Sequence, residues 1–188
     1  MAKVYEFLAN GFEEVEGLAP VDILRRGGVD IKTVSVTGSL EVQSSHGVTV
    51  IADLRFEDAD LSDADMLMLP GGMPGSTNLN AHEGVRKAIL EHYQQGKRVG
   101  AICAAPMVLG GLGILNGKKA TCSPGFQKYM TGAEYTHELF TVDGTVITGE
   151  GPAATFPYAY KILSFFIGEE PVRELMHKMQ FLHLIGEE

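Results

Sequence analysis

The chain has 188 residues, with 15 basic against 24 acidic side chains and a formal charge of −9. That length predicts one domain, residues 1–188, since a domain takes roughly 100–200 residues, and a core of that size needs no disulfide or metal staple. An acidic surface is repelled by phosphate backbones and anionic lipid, so neither nucleic acid nor a membrane is expected as a partner. Two cysteines are too few for a disulfide framework or a four-ligand zinc site, and no metal or other cofactor is expected. No apolar stretch approaches the roughly 18 residues of a membrane span, and Met1 to Glu6 lack the basic and apolar pattern of a leader, so the expected location is cytoplasmic.

In chain order, Val4–Leu8 is a short strand ended by Asn10-Gly11. Glu13 to Arg26 forms an acidic helical stretch stopped by Gly27-Gly28. Ile31–Val36 alternates as a strand, and Glu41–Ser44 with Val48–Ala52 makes a hairpin around Ser45-His46-Gly47. Met66–Leu69 is a continuous apolar run cut off by Pro70-Gly71-Gly72, the pattern of a strand buried on both faces. Helix Glu83–Gln95, strand Arg98–Ile102 and helix Ala104–Leu112 follow. A strand near Lys119–Cys122, a helix near Phe126–Thr131 and a hairpin of Glu138–Val142 with Thr145–Thr148 come next. Two helices, Ala153–Ile167 and Pro171–Leu184, close the chain. Strands alternating with helices mean right-handed crossovers and a mostly parallel sheet covered on both faces. Ligands bind such sheets beyond the carboxyl ends of the strands, so the residues just after Leu8, Leu69, Ile102, Cys122 and Thr148 matter most.

Cys103 is the strongest chemical signal. It stands where a buried strand turns into a helix, with small Ala101 and Ala105 on either side, which is the spacing of a nucleophile elbow with Cys in place of Ser. Unpaired N–H groups at a helix start favour a thiolate. Spacing alone fits an inert buried cysteine equally well. Glu16 lies just past the first strand, and Pro20 withholds the N–H that would bond its carbonyl, so the helix is expected to kink or restart there. Read as a first-turn acid, Glu16 fits a purely helix-stabilising role, and by spacing that reading is the stronger one. The glycines of Pro70–Gly75 can bring backbone N–H groups to a ligand or simply form a turn.

Gly149–Ala154 matches G-x-G-x-x-A but is followed by a second helix instead of a strand, and Pro152 removes a phosphate-facing N–H; a dinucleotide site is excluded. None of the six histidines neighbours Cys103 in sequence, which leaves His46 and His137 as loop candidates for a pairing made in space. Cys122 reads as a buried bystander more readily than as a resolving thiol. The apolar stripe of Pro171–Leu184 fits packing on the domain or a dimer contact.

Taken together, Gly11–Glu16 with Pro20-Val21-Asp22, Leu69–Gly72, Ala101–Pro106 and Gly151-Pro152 resemble the ThiJ/PfpI superfamily, in the branch of the parkinsonism-associated protein deglycase. The resemblance runs from about Lys3 to Met179. It implies an α/β fold: a flavodoxin-like three-layer α/β/α sandwich, class I glutamine amidotransferase-like, that forms homodimers. Cys103 matches the reactive cysteine, Glu16 the protonated carboxyl that stabilises its thiolate, and Gly72 and Ala104 the positions whose N–H groups face a bound oxygen. The implied function is a cysteine-dependent stress-response protein. It would act either as a glutathione-independent glyoxalase or deglycase on small reactive carbonyls or glycated amines, or through oxidation of Cys103 as a sensor. The alternative is a non-catalytic redox-sensing chaperone or binding protein.

Three departures qualify this. Ser123 stands where glyoxalase-competent members carry a loop histidine, and a general acid–base is typically worth ~10²–10⁴-fold, so turnover should be weak. Ala104 stands where the protease-like branch has histidine, so proteolysis is not expected. His46 and Glu150 replace basic residues of relatives, which puts the anion-stabilising field at Cys103 in question. His46, Ser123 and Cys122 are therefore the auxiliary candidates.

Overall fold

The computed structural model describes residues 1–187. In chain order the elements are β1 (Lys3–Leu8), α1 (Glu14–Arg26), β2 (Asp30–Ser35), β3 (Glu41–Gln43), β4 (Thr49–Ile51), β5 (Leu54–Arg55) and β6 (Met66–Leu69). They continue with α2 (Gly75–Ala81), α3 (Glu83–Gln94), β7 (Arg98–Ile102), α4 (Pro106–Gly111), β8 (Lys119–Ala120) and β9 (Glu134–Tyr135). The chain closes with β10 (Phe140–Asp143), β11 (Val146–Gly149), α5 (Thr155–Ile167), α6 (Glu169–Lys178) and α7 (Phe181–Leu184).

The central sheet has seven strands in the order β10-β11-β7-β6-β1-β2-β5, all parallel except the β10–β11 pair. Every residue of β6 and β11 is buried, as expected for strands covered on both faces. From β1 the chain moves to β2 on one side, whereas β6, β7 and β11 build outward on the other. The strand order therefore reverses between β1 and β6, which places the ligand crevice at their carboxyl ends.

Two apolar layers flank the sheet. On one face Phe7, Leu67, Leu69 and Val99 pack under Leu79 of α2, Ile89 of α3 and Val108 of α4. On the other, Val4, Met66, Met68 and Ile147 pack under Ile23 of α1 and Tyr158 and Ile162 of α5. Helix α1 carries acids in its first turn and Arg25 and Arg26 in its last, the distribution that its dipole favours.

Four expectations are corrected. Helix α1 runs unbroken through Pro20, so the missing N–H costs one hydrogen bond without ending the helix. Phe126–Thr131 supplies only a 3-10 turn at Gln127–Tyr129. Gly75–Ala81, not anticipated as a helix, forms α2 because it packs on α3 and α4. The closing segment divides into α6 and α7 at Gln180, whose φ of +61° leaves the right-handed helical region. Its apolar residues pack inward: Val172 and Leu182 are buried, and Leu175, Met176 and Met179 lie against the α1–α5 layer.

One buried residue breaks the apolar pattern. Glu6 of β1, aligned with Thr33 and Met68 of its neighbours, is 1% exposed, and its Oε2 has no hydrogen-bond partner. Burial first, and the Glu16 charge second, push its pKa well above the ordinary carboxylate value. Glu6 therefore holds its proton when folded and loses it when unfolded above the ordinary carboxylate range. The folded state binds the extra proton, so stability is full at acid pH and declines as pH rises toward the folded-state pKa, by up to about 1.4 kcal/mol per pH unit. Glu6→Gln removes this titration. Urea unfolding at about pH 5 and about pH 8 should show the variant gaining on the wild type at the higher pH, whereas a constant difference would show that Glu6 is not held neutral.

Candidate active site

The ends of β1, β6 and β7 converge on one sulfur. Cys103 follows β7 directly with φ of +63°, a conformation that costs a non-glycine residue roughly 1–3 kcal/mol. Its backbone is pinned on both sides: its N–H donates to Gly149 O at 2.9 Å, and its carbonyl accepts from the Ser123 N–H at 2.9 Å. Cys103 occupies the elbow expected of it, but the helix expected from Ala104 begins only at Pro106. The side chain is half-buried and the thiol is free.

Glu16 comes from the first turn of α1 and is completely buried. Glu13, the N-cap, accepts from the Glu16 N–H at 2.8 Å and so sets the direction of that turn. Glu16 Oε2 accepts from the Gly71 N–H at 2.9 Å, and its Oε1 is buried without a hydrogen-bond partner. A Cβ on Gly71 would lie 2.5 Å from Glu16 Oε2 and 2.6 Å from Cys103 Cβ, so only glycine lets the β6 loop pass between them. Gly72, at φ of +88°, packs so closely on Glu13 that a Cβ would strike that residue's backbone nitrogen. Among the described residues, neither Gly72 nor Ala104 gives its N–H to a backbone carbonyl.

Burial pushes the Glu16 pKa up to about 7, opposed by the Cys103 and Gly71 hydrogen bonds and assisted by the Glu13 charge. Burial, then the Glu16 charge and hydrogen bond, push the Cys103 thiol up to about 12, with the Gly72 N–H and Ser123 hydroxyl pulling the other way. These two shifts belong to one coupled unit. When Glu16 is ionised it opposes a thiolate; when it carries its proton the opposition vanishes and the carboxyl becomes a donor to sulfur. The pair therefore holds at most one negative charge, and the thiol is easier to ionise when Glu16 carries its proton.

The auxiliary candidates separate. Ser123 is brought beside Cys103 through its N–H, which donates to the Cys103 carbonyl at 2.9 Å. His46 is held instead by Glu14, with Nδ1 at 3.0 Å from Oε2, and by Ser45 Oγ at 3.2 Å. Cys122 is fully buried in the layer beneath α2, α3 and α4, whereas Cys103 contacts the opposite layer. His137 pairs with Glu150 at 3.6 Å and stacks on Tyr135 with ring centroids 5.5 Å apart. Glu150 follows Gly149, the residue that holds the Cys103 N–H. Sequence reasoning missed Gly71 as the residue of closest approach, although Pro70-Gly71-Gly72 was its signal, and missed Glu13 as the residue that orients Glu16.

A profile of the DJ-1/PfpI family matches residues 2–164. This chain belongs to the DJ-1/PfpI family. It is 36% identical over 167 residues to the Parkinson disease protein 7 homolog of Danio rerio, covering 87% of this chain and 88% of that one. It is 34% identical to DJ-1 homolog B of Arabidopsis thaliana over 92% of its length, but spans only 40% of that longer protein. Among solved structures, a cysteine-to-alanine mutant of a DJ-1 superfamily protein from Salmonella typhimurium superposes with a TM-score of 0.91 at 34% identity, covering 95% of this chain and 98% of that one. The flavodoxin-like sandwich implied by the sequence is the fold observed.

The coupling of the DJ-1/PfpI pair gives a pH test. Glu16→Gln keeps a neutral partner at the sulfur but removes the charge that Glu16 carries above pH of about 7. Alkylation of Cys103 by iodoacetamide should be about tenfold or more faster in the variant at about pH 9, one pKa unit being a factor of ten, and the two rates should converge at about pH 6. Equal rates across the range would show that the Glu16 charge does not reach the sulfur.

Proposed function

We propose that Cys103 is a nucleophile toward small reactive carbonyls, in a glyoxalase- or deglycase-type reaction carried out by a stress-response protein. The observation that carries this reading is the junction of an elbow cysteine, a buried carboxyl with pKa near neutrality and two N–H groups free of backbone partners. A Caenorhabditis elegans relative named as a glutathione-independent glyoxalase, 29% identical over 87% of this chain, supports it.

With methylglyoxal, a C–S bond forms between Cys103 and the aldehyde carbon as the thiol proton passes to the Glu16 carboxylate. The carbonyl oxygen develops negative charge between the Gly72 and Ala104 N–H groups and takes that proton, giving a hemithioacetal. Glu16 then removes the C–H proton of the hemithioacetal and returns it to the neighbouring ketone carbon through an enediol, leaving a thioester of lactate. Water cleaves the thioester to lactate and restores the thiol. With Ser123 beside the sulfur there is no imidazole to share the two proton transfers, so the reaction is slow.

That weakness favours a second reading in which oxidation of Cys103 is the event of consequence. Thiolate and one peroxide give sulfenate and water, and a second peroxide gives sulfinate. The half-buried sulfur is open to so small a reagent. A homodimer belongs to either reading.

Purified protein incubated with methylglyoxal should release lactate, and Cys103→Ser should abolish that release. Ser123→His should raise kcat toward the ~10²–10⁴-fold that a positioned acid–base supplies. Lactate formation independent of Cys103 would overturn the first reading; a Cys103 that mass spectrometry finds unchanged after modest peroxide would overturn the second.

A further inference from the structure

Three oxygens on the α1–α5 side of the sheet are buried without a hydrogen-bond partner: Glu6 Oε2, Tyr158 Oη and Glu16 Oε1. The sheet register shows how they come together. Glu6 of β1 lies beside Met68 of β6, Met68 beside Gly100 of β7, and Gly100 beside Ile147 of β11, in one row. Residues aligned across neighbouring parallel strands point to the same face. Met68 and Ile147 belong to the layer under α1 and α5, so Glu6 points into it. Tyr158 comes down from α5 onto the same row, where a Cβ on Gly100 would lie 2.7 Å from its hydroxyl. Its ring rests on Gly149, where a Cβ would lie 3.0 Å from Cδ2, and the Gly149 carbonyl holds the Cys103 N–H. Two glycines thus seat Tyr158, with its ring against the elbow's anchor and its hydroxyl at the row of Glu6.

The groups feel one another: Glu6 and Glu16 both act on the Tyr158 phenol, and Glu16 acts on Glu6. The other ionisable groups that act on the cluster, Glu13 and Cys103, do so through Glu16. The strand neighbours of Glu6, Thr33 and Met68, are uncharged, and Asp53, bound to Thr33 Oγ1, is matched by Arg25 at 2.7 Å. A neutral carboxyl and a phenol are donors, and an ionised carboxylate is an acceptor. The layer therefore carries two donors and, once Glu16 loses its proton, the acceptor that both lack; buried polar groups in native proteins are almost always paired. We infer that Glu6 and Tyr158 are positioning residues for Glu16: when Glu16 ionises, their O–H groups turn to its free Oε1 and hold the charge there, while Gly71 holds Oε2. Donors to the charged form favour it, so the two offset part of the burial that makes Glu16 keep its proton. The carbonyl reading above needs Glu16 to release and recover a proton. The inference deepens that reading by naming the residues that set how readily it does so, and its test needs no turnover.

Alkylation of Cys103 by iodoacetamide, followed by mass spectrometry from about pH 5 to about pH 9, reads the Glu16 charge. The rate rises about tenfold per pH unit while Glu16 holds its proton and flattens once Glu16 ionises, with the bend near pH of about 7. Tyr158→Phe and Glu6→Met each remove one donor and should move the bend up by about half a unit to one unit. Glu6→Gln keeps an N–H donor and should leave the bend in place. In a Glu16→Gln background, where the bend is absent, Tyr158→Phe should leave the profile unchanged. Each donor variant is a test by itself, so one that fails to fold leaves the other to decide. A bend that stays at the wild-type pH in every folded donor variant would overturn the inference. So would an equal change of rate in the Glu16→Gln background, which would place the effect in the packing of the elbow. Shifted bends without Cys103-dependent lactate release would support the positioning role and count against carbonyl turnover alone.

Discussion

Everything at this site depends on the passage of the β6 loop between two side chains. The Gly71 N–H holds the Glu16 carboxylate from one side while its Cα lies against Cys103, with no space for a methyl group on either count. That single close approach joins three strand ends that are distant in sequence. It also explains why the carboxyl is dry: the loop, α1 and the sulfur enclose it, and burial is the largest influence on its proton affinity. The strained backbone at Cys103 lies at the same close approach, at the turn that follows β7.

A buried acid next to a buried thiol is an expensive arrangement unless the two share their charge. Here the energetic conflict is resolved by protonation: one negative charge is tolerated in the enclosure, and two are not. The Gly72 N–H and the Ser123 hydroxyl ease a charge on the sulfur, whereas the Glu13 charge adds to the effect of burial on Glu16.

Much of this was legible in the sequence. The apolar runs Met66–Leu69 and Arg98–Ile102, each followed by small residues, identify strands buried on both faces and the turns that carry the chemistry. Cys103 stands out because a cysteine at a strand–helix turn is a position and not merely a composition. Glu16 was ambiguous for a physical reason: a first-turn acid stabilises any helix, and its local spacing carries no information about a loop 55 residues away that donates to it. Helix α2 escaped notice because Gly75-Ser76-Thr77-Asn78 is a poor helix former, and packing against α3 and α4 overrides that preference. The segment after Gln127 shows the reverse, a helical pattern given up after one turn. Glu6 was invisible as a problem, since a glutamate in an alternating strand reads as the solvent-facing member of the pair until the covering layer of α1 and α5 is placed over it.

Cys103 is held by two main-chain hydrogen bonds, one to Gly149 at the end of β11 and one from Ser123 in the segment after β8. The position of its sulfur is thus tied to two separate stretches of chain as well as to the strand that carries it. A group added to that sulfur has to be accommodated by movement of its surroundings, and on the side of the β6 loop there is no space to give, since Gly71 already lacks room for a methyl group.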